Sequence, residues 1–247
     1  MPDPELSGPP GFPPTHLSVI QRLASPDPSA RAGAAERIVA AYWKPVYRYL
    51  RVVRGVEHDD AQDLTQDFFA HALLRDTLAG YHPDRARFRT YLRVCLDRFA
   101  INAHQAARRL KRGGGWEAVP LDFAAAEAAL STGPVRADDP EEFFRREWIR
   151  SLFEGALAEL RTRLESAGKL AHYQAFVAYD IDAPAGERVT YQSVGDQVGL
   201  SSTQVTNALH AARNTFRAIV LERLRELTGS HEEFVREAAV VLGVDVG

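Results

Sequence analysis

Apolar residues recur along this chain every three or four positions, and no segment alternates apolar and polar cleanly enough for a strand. Val46, Tyr49, Leu50 and Val53 fall at i, i+3, i+4 and i+7, which predicts a helix over residues 31–54, with Pro45 starting a new turn or kinking it. A second helix is expected over 59–76, with Leu64, Phe68 and Ala72 on one face. A third runs over 88–111 and stops at Gly113, Gly114 and Gly115, whose backbone freedom opposes helix. Residues 113–140, rich in Gly, Pro, Ala and Asp, read as a flexible linker with one weak helical patch at 123–130. Beyond it Trp148, Leu152, Ala156 and Leu160 share a helical face, as do Phe153, Leu157 and Leu164, and Tyr173, Phe176 and Val177 continue the pattern.

The sharpest local pattern begins at Thr190. A short helix with Tyr191, Val194 and Val198 inward ends at Gly199, and Gly199-Leu200-Ser201 makes a turn. Ser201 is an N-cap, and Gln204 three residues on completes a capping box. The next helix buries Val205, Leu209, Ala212 and Phe216, and its other side presents Ser202, Thr203, Gln204, Thr206, Asn207, His210 and Arg213. Polar side chains at the start of the second helix of such a pair can read base edges in the major groove.

The expected fold is therefore all-α: two small helical domains, 31–112 and 141–228, joined by the linker 113–140, with the helix-turn-helix at about 190–213. A Pro-rich segment, 1–30, holds eight of the fourteen prolines. A tail, 229–247, carries an amphipathic helix with Phe234, Ala238 and Val241, expected to pack on the second domain or to meet a regulator.

Composition narrows the chemistry. A single cysteine, Cys95, excludes an internal disulfide and a cysteine-based zinc site. No phosphate-binding loop, serine elbow or His-Glu-x-x-His signature is present, so no cofactor or metal is implied and catalysis is not expected. With no basic stretch leading an apolar run at the N-terminus and no apolar window of spanning length, the expectation is a cytoplasmic protein without a membrane partner.

Net charge is only −3 over 247 residues, but the charges are segregated. Residues 57–67 hold five acids and no Lys or Arg, and Asp60, Asp63 and Asp67 share one helical face beside Leu64 and Phe68. Residues 85–112 hold nine basic residues and one acid, Asp97, interleaved with Phe88, Tyr91 and Phe99. Arginine and lysine neutralise phosphates, and aromatic faces stack on unpaired bases. His82-Pro83-Asp84 between the two segments matches the loop tripeptide of J-domain co-chaperones, but the helix before it is acidic where theirs is basic. It reads as a turn, with Pro83 fixing φ and Asp84 capping the next segment.

This order of elements resembles bacterial RNA polymerase sigma factors of the extracytoplasmic-function (ECF) type, over about residues 31–227. "YWKPVYRYLR", "DDAQDLTQDFFAHALL", "FRTYLRVCL" and "ARRLKRGGG" look like region 2 of an ECF subgroup. "FPPTHLSVI" and "FFRREWIRSLFEGAL" look like further marks of it, and "VTYQSVGDQVGLSSTQVTNALHAARNTFR" looks like region 4. The resemblance implies a promoter-specificity subunit whose partners are core RNA polymerase and promoter DNA, with an anti-sigma factor or other regulator as a further possible partner. Asp60, Asp63, Leu64, Gln66, Asp67 and Phe68 would dock on the polymerase clamp. Arg87, Phe88, Arg89, Tyr91, Arg93, Arg98, Asn102, Arg108, Arg109, Lys111 and Arg112 would hold the opened minus-ten element. Residues 202–213 would read the minus-thirty-five element. Two positions depart from the subgroup: Asp97-Arg98 stands in place of an Arg-Asn pair, and His104 in place of an aromatic. The competing expectation is a stand-alone helix-turn-helix regulator.

Overall fold

The computed structural model describes residues 18–107, 121–130, 139–183 and 189–243. Among them all regular structure is helical. In chain order the helices are α1 (Val19–Arg22), α2 (Pro28–Val52), α3 (His58–Leu74), α4 (Phe88–Ala107), α5 (Phe123–Leu130), α6 (Pro140–Ser166), α7 (Leu170–Phe176), α8 (Tyr191–Val198), α9 (Ser202–Glu226) and α10 (His231–Leu242). A 3-10 turn, Leu78–Gly80, precedes α4, and a π-helical turn, Val177–Ile181, follows α7.

The starts follow from capping chemistry. Asp27 and Asp139 cap α2 and α6 by accepting the amides of Ser29 and Glu141, and each is followed by a proline whose missing N–H costs nothing at that position. Pro45 neither starts nor ends a helix: α2 runs through it. A proline there leaves the carbonyl four residues back without its usual partner, and the Ser151 hydroxyl of α6 reaches that carbonyl, on Ala41, at 3.5 Å.

The two expected domains share one continuous core. The physical reason is α6, which is 27 residues long. Its buried stripe Trp148, Leu152, Ala156, Leu160 and Leu164 packs on α2 toward one end and on α7 and α9 toward the other. Trp148 stacks on Tyr42 of α2 at 6.4 Å, while Phe153 meets Phe216 of α9 at 5.8 Å. Ion pairs stitch the α2–α6 seam: Arg48 to Glu147 at 2.8 Å and Lys44 to Glu154 at 2.7 Å.

The weak helical patch in the linker is real, and it is docked. α5 buries Phe123 and Ala126 against α2, with Phe123 edge-on to Trp43 at 5.3 Å and near Tyr47 at 5.2 Å. Glu127 accepts from Arg51 at 2.6 Å and from the Tyr47 hydroxyl at 2.6 Å. Among the described residues no helix is long and apolar enough to cross a membrane.

Candidate functional site

Three surfaces were expected to carry function: the acidic face of α3, the basic side of α4, and the start of α9. On α3, Asp60, Asp63, Gln66 and Asp67 are exposed and Leu64 is half-buried. Asp59 and Asp60 sit in the first turn, where the helix dipole favours them. No ion pair to Asp60, Asp63 or Asp67 occurs among the described residues. Partial burial, then the charge of Asp63, raises the Asp67 carboxyl above its ordinary value. Phe68 is a correction: it is 1% exposed, with its ring on Phe69 at 5.2 Å and Phe99 at 5.7 Å. Its period placed it beside the acids, but the ring turns inward and cannot meet a partner.

On α4 the corrections are larger. Phe88 is fully buried, edge-on to Tyr42 and Tyr81 at 5.6 and 5.2 Å. Arg89 is 4% exposed, paired to Glu237 of α10 at 3.2 Å and to Glu141 of α6 at 3.3 Å, with its guanidinium over the Trp148 ring. Arg87, one-third exposed, also pairs with Glu237, at 3.3 Å. Arg93 bonds Glu141 and Asp97, both at 2.6 Å. Tyr91 is half-buried and donates its hydroxyl to the Thr77 carbonyl at 2.7 Å. These five residues are therefore engaged within the protein. Asp97, out of place in a DNA-facing stretch, is an internal hub that also accepts from Tyr49 at 2.8 Å and pairs with Arg54. Of the described minus-ten candidates only Arg98 and Asn102 are exposed; Arg108, Arg109, Lys111 and Arg112 lie outside the described residues.

The partners on other helices that neutralise α4, Glu141 and Glu237, were missed because they are 48 or more positions away in sequence. Glu233 and Glu237 of α10 are each 2% exposed. Glu233 accepts the Tyr81 hydroxyl at 2.8 Å and the amides of Phe88 and Gly229, both at 2.7 Å. It is Glu233, not Asp84, that satisfies the first amide of α4. His82-Pro83-Asp84 does make a turn, closed by the Arg85 amide on the His82 carbonyl.

Between α3 and α4 lies a groove of about 350 Å3 lined by His71, Tyr91, Cys95, Phe99, Arg98 and Asn102 among others. Its lining combines the rings of Phe68, Tyr91 and Phe99 with the polar side chains of His71, Arg98 and Asn102. Burial pushes the Cys95 thiol up, so its thiolate is disfavoured.

The helix-turn-helix forms in the expected register. Gly199 is left-handed at φ 73°, and the Ser201–Gln204 capping box closes in both directions, at 2.8 and 3.3 Å. A Cβ on Gly195 would stand 2.3 Å from the Leu200 carbonyl oxygen, so only glycine lets α8 approach the turn this closely. Val205, Leu209 and Ala212 are buried and Phe216 is half-buried. Tyr191, expected inward, is 39% exposed and packs on Tyr179 of the π-helical turn at 5.1 Å.

Thr203, Gln204, Thr206, Asn207, His210 and Arg213 are exposed; Ser202 is half-buried and donates to Gln192 of α8 at 2.9 Å. Arg213 is held by both carboxylate oxygens of Asp180, at 2.8 and 2.7 Å, beside the Tyr179 ring. The open polar surface at the start of α9 thus centres on Thr203, Thr206, Asn207 and His210. No family model, curated protein or solved structure matches this chain.

Proposed function

We propose that this chain is a promoter-specificity subunit of bacterial RNA polymerase, similar to the ECF sigma factors. It would bind core polymerase through α3, read one promoter element through α9 and hold opened DNA near the groove between α3 and α4. The observation that carries the reading is the coexistence of two different recognition surfaces on one molecule: an exposed acidic face on α3 without ion pairs among the described residues, and a helix-turn-helix with its second helix open at the start. A duplex binder working alone has use for the second surface and none for the first.

The decisive experiment is sizing chromatography of the chain with bacterial core polymerase at moderate salt. Co-elution is expected, and Asp60→Lys with Asp63→Lys should abolish it while leaving the circular dichroism unchanged, since both side chains are exposed. Co-elution that survives the double substitution would defeat the reading.

A second reading has one observation in its favour. The described arginines of α4 other than Arg98 are paired internally, which leaves the helix-turn-helix as the main nucleic-acid surface, as in a stand-alone regulator. That reading requires tight, specific duplex binding by the isolated chain, without polymerase.

A further inference from the structure

The contact between α10 and α4 is built on buried charge. Two carboxylates, Glu233 and Glu237, are carried into the interior at 2% exposure each. Taking charges out of water costs several kcal/mol per ion, and pairing them inside roughly offsets that cost rather than exceeding it. The apolar part of the seat is Phe234 and Ala238, which are buried, with Val235, Val241 and Leu242 partly buried beside them. What α10 does achieve is specific. Glu237 occupies Arg87 and Arg89 together, and Glu233 takes the first amide of α4. A guanidinium and a helix N-terminus are the two groups that hold phosphate best. A carboxylate and a phosphate oxygen compete for both, and only one can be seated.

We propose that α10 is a built-in stand-in for nucleic-acid phosphate: docked, it covers Arg87, Arg89 and the first amide of α4, and released, it surrenders Arg87 and that amide to a single-stranded backbone and leaves Arg89 shared only with Glu141. The inference rests on the reading of α4 as the helix that faces opened DNA, and it adds that the free chain is held in the closed state by its own last helix. Arg87 is already one-third exposed beside Glu237, so the exchange has a solvent-side starting point.

The test measures binding of the full chain to a fluorescein-labelled single-stranded DNA oligonucleotide across a salt series. Glu237→Gln removes the competing charge and keeps the shape. It should bind about fivefold or more tighter than the parent, with a salt slope steeper by about 0.7 for each guanidinium released. Ala238→Gln, a neutral wedge at a fully buried position, should give the same gain without altering any charge. Adding Arg87→Ala and Arg89→Ala to Glu237→Gln should return binding to the parental level. Unchanged affinity and slope in both single variants, with helix content retained, would overturn the proposal and make α10 fixed architecture. Absence of DNA binding by every variant would overturn it too. Co-elution with core polymerase, run on the same samples, reports separately on the proposed function, because Glu237 and Ala238 lie off the acidic face of α3.

Discussion

Gly195 sets the geometry of the helix-turn-helix more than any apolar residue near it. A methyl group there meets a backbone carbonyl, which cannot swing aside as a side chain could. Gly195→Ala should lower stability by about 1–3 kcal/mol, read as a drop in urea midpoint, and should displace the start of α9. At this scale the sequence was legible where the signal is local. The Ser201–Gln204 capping box and the helix end at Gly199 were read from neighbouring residues because their bonds span three or four positions. It was illegible where the partner is remote. Arg89 looks the same in sequence whether it faces solvent or Glu237, and the 148 positions between them carry no periodic trace.

At the scale of elements, α5 shows how a composition typical of linkers can hide a docked helix. Its seat combines the Phe123 ring with a polar cluster in which Arg51 holds Glu127. Hydrogen bonding from Arg51 holds the Glu127 carboxyl down to about 2, against an ordinary value of 4.5. A carboxylate whose folded value is depressed stabilises the fold above its unfolded value and loses that contribution as pH falls toward the folded one. The parent should therefore exceed Glu127→Gln in urea midpoint at neutral pH, and the gap should close as pH drops from 4.5 to about 2. A gap that persists at pH 2 would count against this pairing as its source. Helix positions were legible from the 3.6-residue period to within a few residues, but whether 123–130 hangs free or packs depends on Trp43 and Tyr47, which no local pattern reveals.

At the scale of the whole molecule the expectation of two separately packed domains gives way to one core, and α6 is the reason. Its stripe was readable in the sequence. That a single stripe serves α2 at one end and α9 at the other was not, because periodicity identifies an apolar face without naming what covers it. Cooperative units share buried surface, so calorimetry should show a single endotherm whose van't Hoff and calorimetric enthalpies agree. Two resolved endotherms would restore the two-domain view. Of the candidate residues, the acids of α3 and most polar side chains at the start of α9 are exposed as expected, whereas Phe68 is buried and five of the basic-helix candidates are engaged within the protein.

Helix α9 is 25 residues without a break, a rod about 37 Å long. Its first two turns bear Thr203, Thr206 and Asn207; past its last turn the chain hands over, through Thr228 and Gly229, to α10 and its carboxylates. A rod behaves as a lever: a tilt of about 5° at one end moves the other by about 3 Å at this length. That travel is as long as the 2.7 Å bonds by which Glu233 grips the amides of Phe88 and Gly229. A rigid tilt of α9 of that size would move the start of α10 by about the length of one of these bonds.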